Sequence, residues 1–167
     1  MTLLTGDKVT VAPAAGGSPG TITVRGPDGE PTGARVMTVG GDTYVYPDSV
    51  RPYLAAGALD QRLFNVTRLV ADGYDDARLD RLPLIVTYGG EEAGAATLRR
   101  RGDTIPGDVT LPLTSVNGVA LTADREDDGA LWAALTGSGA ATKAQAPRLP
   151  SGAASPKYGS MARPRPC

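Results

Sequence analysis

The sequence predicts an α+β protein, a small β-rich unit followed by an alternating strand and helix unit. Two observations carry this. Residues 1–50 break into short apolar runs separated by Gly, Pro and Asp turns, whereas residues 82–137 alternate strand-like and helix-like segments in the order β-α-β-β-α. A lean core is affordable, because 41% of the 167 residues are hydrophobic although only one Trp, one Phe and six Tyr are present.

In the first unit, "TLLTGDKVTV" sets Val9 and Val11 two apart after a Gly6-Asp7 turn. "GTITVRGPDGE" carries Ile22 and Val24 before Pro27-Asp28-Gly29. "ARVMTVGGDTYVYP" reads as a hairpin around Gly40-Gly41-Asp42, closed by Pro47. Residues 51–81 form a helical and irregular connector rich in Leu, Ala and Arg, read as a short helix, a turn and a connecting segment. Leu54 and Leu59 fall near helical spacing there, and Leu63, Phe64, Val66 and Leu69 make a compact apolar group.

In the second unit, "LPLIVTY" (82–88) is a nearly continuous apolar run, as an interior strand requires. "EEAGAATLRRRG" (91–102) reads as a helix. Glu91 and Glu92 would stand in its first turn, Arg99 to Arg101 in its last, and Gly102 just beyond, a charge order that suits the helix dipole. "DVTLPLTSV" (108–116) and "GVALT" (118–122) are strands meeting at Asn117-Gly118. "DREDDGALWAALTG" (124–137) is a second helix with Asp124 as N-cap, Leu131, Trp132 and Leu135 on one face, and Gly137 at its end. One more strand would complete a ferredoxin-like βαββαβ unit. The expected architecture is therefore an incomplete ferredoxin-like domain over 82–137 with its last strand missing, followed by a flexible linker and disordered tail over 138–167.

Composition and motifs exclude more than they assign. Histidine is absent, which closes Ser-His-Asp and Cys-His catalysis and removes the commonest zinc ligand. No catalytic, cofactor-binding or metal residue is expected, and the chain reads as not an enzyme. A net charge of -1 argues against nucleic acid or an anionic membrane as the main partner. No apolar run is long enough to span a bilayer, and "MTLLTGDKV" lacks the pattern of a signal peptide. "GSGAATKA" (137–144) lacks the Gly-Lys-Ser/Thr ending of a phosphate loop. "DGYDD" (72–76) lacks the spacing of a calcium loop, "NVT" (65–67) is formally a glycosylation acceptor, and "RRR" (99–101) suits a solvated helix end.

Taken in order, "TLLTGDKVTV", "GDTYVYP", "LDQRLFNVTRLVADGYDDAR", "LPLIVTY", "LTSVNGVALTAD" and "ALWAALTG" resemble the pro-region of secreted actinobacterial-type subtilisin-like serine peptidases. The resemblance covers about residues 2–150. It implies a propeptide that acts as intramolecular chaperone and inhibitor of a subtilase catalytic domain, which would be its partner. It also implies secretion, although no signal peptide is seen, which leaves a cytoplasmic location open for the chain as encoded. The family's catalytic residues map to no position here, and the chain reads as truncated before the peptidase domain. The expected contact lies on the sheet face away from the helices, with Leu84, Val86, Tyr88, Leu113, Val116, Asn117 and Gly118 as its residues. A monomer or weak self-association is expected. A stand-alone inhibitor of the same fold and an unrelated α+β interaction module are the alternatives.

The tail "ASPKYGSMARPRPC" (154–167) shows no period where the family's final strand commonly reads V-x-x-[IV]-W-L-D-G. Joining the last base of each codon to the first two of the next permits V-A-E-V-W-L-D-G across residues 154–162, with Gly obligatory at Met161-Ala162. The sequence therefore suggests a strand translated out of frame, against the alternative of an authentic disordered end.

Overall fold

The computed structural model describes residues 1–12 and 21–137, and the backbone of 142–145. Strands β1 (Lys8–Ala12) and β2 (Thr21–Arg25) pair antiparallel. Val9 faces Val24 in the core, while Val11, near the outer end of the ribbon, is exposed. Strands β3 (Ala34–Val39) and β4 (Asp42–Pro47) form the expected hairpin. Its two-residue turn needs positive φ at both positions, which Gly40 (61°) and Gly41 (90°) supply at no steric cost. Only β4 turns residues fully inward, burying Val45 and Pro47.

The connector is more helical than one short helix. It contains α1 (Arg51–Ala55), a 3-10 turn over Gln61–Phe64 and α2 (Val66–Ala71). Asn65 caps α2, its Oδ1 accepting the Arg68 N–H at 3.0 Å while its Nδ2 donates to Asp42 at 3.0 Å. At 4% exposure Asn65 offers no room for a glycan in the folded chain. The "DGYDD" carboxylates are likewise engaged: Asp75 pairs with Arg78, and Asp76 accepts from both the backbone and the hydroxyl of Thr2.

The remaining elements are β5 (Arg81–Tyr88), α3 (Ala95–Gly102), β6 (Asp108–Leu113), β7 (Gly118–Asp124), α4 (Asp128–Gly137) and β8 (Thr142–Gln145). They build one sheet in the order β6-β7-β5-β8, every neighbouring pair antiparallel. The expectation of a missing last strand is therefore corrected. A fourth strand lies within the segment read as flexible linker, and β8 pairs with Ile85–Tyr88 of β5. The out-of-frame reading of 154–167 falls outside the described residues.

Three local expectations also shift. Helix α3 starts at Ala95 after Gly94, so Glu91 and Glu92 stand in the preceding loop, and Gly102 is its last residue instead of the one beyond. Asp124 caps nothing with its side chain: a 3-10 turn over Arg125–Asp127 separates it from α4, and its carboxylate pairs with Arg81 at 2.7 Å. Strand β6 stops at Leu113, and a 3-10 turn over Thr114–Val116 leads into Asn117.

Both helices lie on one side of the sheet, where Leu98, Leu131 and Leu135 join Leu82, Leu84, Val86, Val119 and Leu121 in the core. That core is continuous with Val9, Val45, Val50 and Phe64 of the first unit and connector. Two contacts fasten the junction. Trp132 meets Tyr53 edge to face at 5.2 Å, and Arg125 donates to the carbonyls of Leu79, Thr2 and Tyr74 at 3.0, 2.8 and 2.5 Å. Beside Arg125, Asp128 is 3% exposed and, among the described residues, neither carboxylate oxygen has a hydrogen-bond partner. Burial pushes its pKa up to about 7, against the pull of Arg125 and helped by the nearby charges of Asp76 and Asp127. Among the described residues, no helix is long and apolar enough to cross a membrane.

Candidate interaction face

Successive residues of a strand point to opposite sides of the sheet, and directly paired residues share a side. On β5 the even-numbered residues Leu82, Leu84 and Val86 are buried beneath the helices. Arg81, Pro83, Ile85 and Thr87 therefore occupy the other face, and each is partly accessible. Their partners on β7 are Asp124, Thr122, Ala120 and Gly118. The next strand adds Asp108, Leu111 and Leu113, which pair with Thr122, Ala120 and Gly118.

The result is a sheet face covered by neither helix. Its centre is apolar, formed by Pro83, Ile85, Ala120 and Leu113, with Leu111 exposed beside it. One end is charged. Arg81 bridges Asp108 at 2.5 Å and Asp124 at 2.7 Å, and so ties β5 to the two strands beside it.

The seven residues expected on this face divide. Leu84 and Val86 are 1% and 0% exposed on the opposite, helix-covered side, so they are unavailable to a partner. The apolar run "LPLIVTY" has large side chains on both parities, which hides its orientation. Strand β7 carries the missing signal: Val119, Leu121 and Ala123 alternate with smaller or polar residues, and pairing transfers that alternation to β5. Tyr88 also faces the helix side, where it lines an inter-helix cavity, and burial raises the pKa of its hydroxyl. Leu113 does lie on the open face, and Val116 is half exposed in the turn at its edge. Pro83, Ile85, Leu111 and Ala120 were not expected there.

Asn117 and Gly118 are buried and structural. Asn117 adopts a left-handed conformation (φ 49°), the only positive φ outside glycine among the described residues. Its Nδ2 donates to the carbonyls of Tyr88 (2.8 Å) and Glu91 (3.3 Å), and its Oδ1 accepts the Ala93 N–H (3.1 Å). One side chain thus fixes the loop from β5 to α3. Gly118 runs so close to β5 that a Cβ there would sit 2.5 Å from the Val86 carbonyl oxygen. Both residues hold the end of the face in shape and leave its contact surface to others.

Among the described residues, no group of acidic, histidine or cysteine side chains is arranged to hold a metal ion. Compared with known protein families, with curated proteins and with solved structures, the chain matches none.

Proposed function

We propose that this chain is a non-catalytic pro-region of a subtilisin-like serine endopeptidase, assisting folding of the peptidase domain and inhibiting it through the open sheet face. The carrying observation is a four-stranded antiparallel sheet with both helices on one side and, on the other, an apolar surface that neither helix covers. The order β6-β7-β5-β8 is the order expected of a ferredoxin-like βαββαβ unit, and it supports the resemblance drawn from the sequence motifs. Absence of histidine from all 167 residues supports the non-catalytic part.

A second reading, a stand-alone inhibitor of the same fold, gains from β8. Such an inhibitor needs an ordered C-terminal strand, and β8 pairs with the central strand at the required edge.

One titration tests both. The purified chain is added to an active secreted actinobacterial subtilisin-like peptidase while hydrolysis of a peptide substrate is followed. Reversible inhibition is expected, weakened by Ile85→Glu or Leu113→Glu on the open face. Inhibition that fades as the chain is degraded fits a pro-region, and persistent inhibition fits the stand-alone inhibitor. Absence of binding at high micromolar chain would overturn both readings, because this face would then have another partner.

A further inference from the structure

Helices α3 and α4 do not close on each other above the sheet. Between them, at the Tyr88 end of β5, lies a cavity of about 690 Å³. From α4 it is lined by Ala133, Ala134 and Gly137, and from the other side by Thr97 and Ile105. Such a volume is in the range that accepts a small organic molecule, and apolar walls give water few partners.

The lining carries two positive charges. Arg100 and Arg101 supply them, and neither guanidinium enters an ion pair among the described residues. They are nevertheless held in place. Arg101 sits 5.6 Å from the centre of the Tyr88 ring, and Arg100 donates to the Thr97 hydroxyl at 3.4 Å. At the Tyr88 hydroxyl the pull of Arg101 is set against the charge of Asp103, which does not line the cavity.

We propose that this inter-helix cavity binds a small amphipathic carboxylate. The apolar body lies against Ile105, Ala133 and Ala134, and the carboxylate is held by Arg100 and Arg101. A guanidinium presents paired N–H donors in the geometry a carboxylate accepts, which separates this ligand class from neutral or cationic molecules of the same shape. The site lies on the helix side of the sheet, opposite the face assigned to the peptidase, so it stands or falls independently of that assignment.

The probe is hydrocinnamate, an aryl carboxylate of modest size, with its neutral amide for comparison, both titrated into the whole chain and followed by amide NMR. We expect saturable shifts centred on Thr97, Ile105 and Ala133, and affinity for the amide about 10-fold weaker or worse. The double variant Arg100→Gln, Arg101→Gln changes only exposed side chains and should lose a similar factor for the acid. Ala134→Trp should fill the cavity and abolish binding of both probes, with a melting curve reporting whether it remains folded. Equal affinity for acid and amide, unchanged affinity in the arginine variant, or no shifts at millimolar probe would overturn the proposal.

Discussion

Strands β3 and β5 are both rich in apolar side chains, yet they sit in opposite surroundings. β5 lies inside its sheet, paired with β7 along one edge and with β8 along part of the other, and its even-numbered residues are sealed beneath two helices. β3 belongs to a two-stranded hairpin whose inner strand, β4, faces the core and packs against α2. The outer strand keeps Val36, Met37 and Val39 exposed. The second edge of the large sheet is guarded in a way β3 is not. β6 carries a register shift between Val109 and Leu111 and has Pro112, which offers no N–H to an incoming strand. Hydrophobic content therefore does not locate the stabilising strand; position within the sheet does.

The largest effect should come from breaking the sealed side. Leu84→Ala removes a buried side chain beneath the helices and should cost about 2–5 kcal/mol in urea unfolding. Val36→Ala on the exposed strand should change stability by less than about 0.5 kcal/mol. Similar losses at the two sites would mean that the hairpin contributes as much as the sheet.

A smaller effect, dependent on pH, sharpens the contrast at the seam between the two regions. The folded chain keeps the Asp128 proton up to about pH 7, whereas an unfolded aspartate releases it near its ordinary value. Between those values the folded state binds more protons through Asp128, so its contribution to stability is fully present below about pH 4 and is lost as pH rises towards 7. The loss is up to about 4 kcal/mol at about 1.4 kcal/mol per pH unit. Burial raises the Asp7 carboxyl as well, although the Thr5 hydroxyl opposes it, so Asp7 adds to the same slope. Asp76 acts in the other direction: burial is outweighed by its hydrogen bonds from Thr2 and the pull of Arg125, so its contribution is lost only in stronger acid. Asp128→Asn should flatten the slope between pH 4 and 7 and stabilise the chain at pH 8. An unchanged slope in denaturation curves would show that the carboxylate is solvated.

The smallest effect on stability should be Val39→Lys. It leaves the melting temperature nearly unchanged and lowers self-association at high concentration, because charge on an edge strand discourages added strands. Light scattering of the two proteins at matched concentration reads this directly. Equal scattering would show that the exposed β3 edge is not an association surface.

Much of this contrast is legible in the sequence, but unevenly. The Gly40-Gly41 turn, the interior strand at 82–88 and the strand pair flanking Asn117 carry strong local signals, since turn chemistry and apolar runs act over a few residues. β8 does not. Its "TKAQ" has neither alternation nor a β-branched run, and its pairing depends on the free edge of β5, about 60 residues away. The facing of β5 is hidden for a related reason. Leu84 and Ile85 look alike in sequence, and only the pairing with β7 decides which points inward. The start of α3 was displaced because Glu91 and Glu92 suit a helix N-terminus electrostatically, yet Asn117 ties the Glu91 carbonyl and Ala93 N–H into a loop before the helix begins.

The Asn117 clamp also sets how the protein ages. Asn-Gly is the dipeptide most prone to losing ammonia, because the unhindered glycine nitrogen attacks the side-chain amide carbon to form a cyclic imide. That ring opens with water to aspartate or isoaspartate. In the folded chain the Asn117 amide is held by Tyr88, Glu91 and Ala93, and its backbone is fixed, so attack is suppressed. In the unfolded chain nothing restrains it. Once converted, the residue can no longer donate to the two carbonyls it faced, and a buried negative charge would stand against them. Each excursion from the native state thus carries a chance of becoming irreversible. Chain held in urea should accumulate a more acidic form on isoelectric focusing that refolds poorly, while folded chain stored for the same time should not.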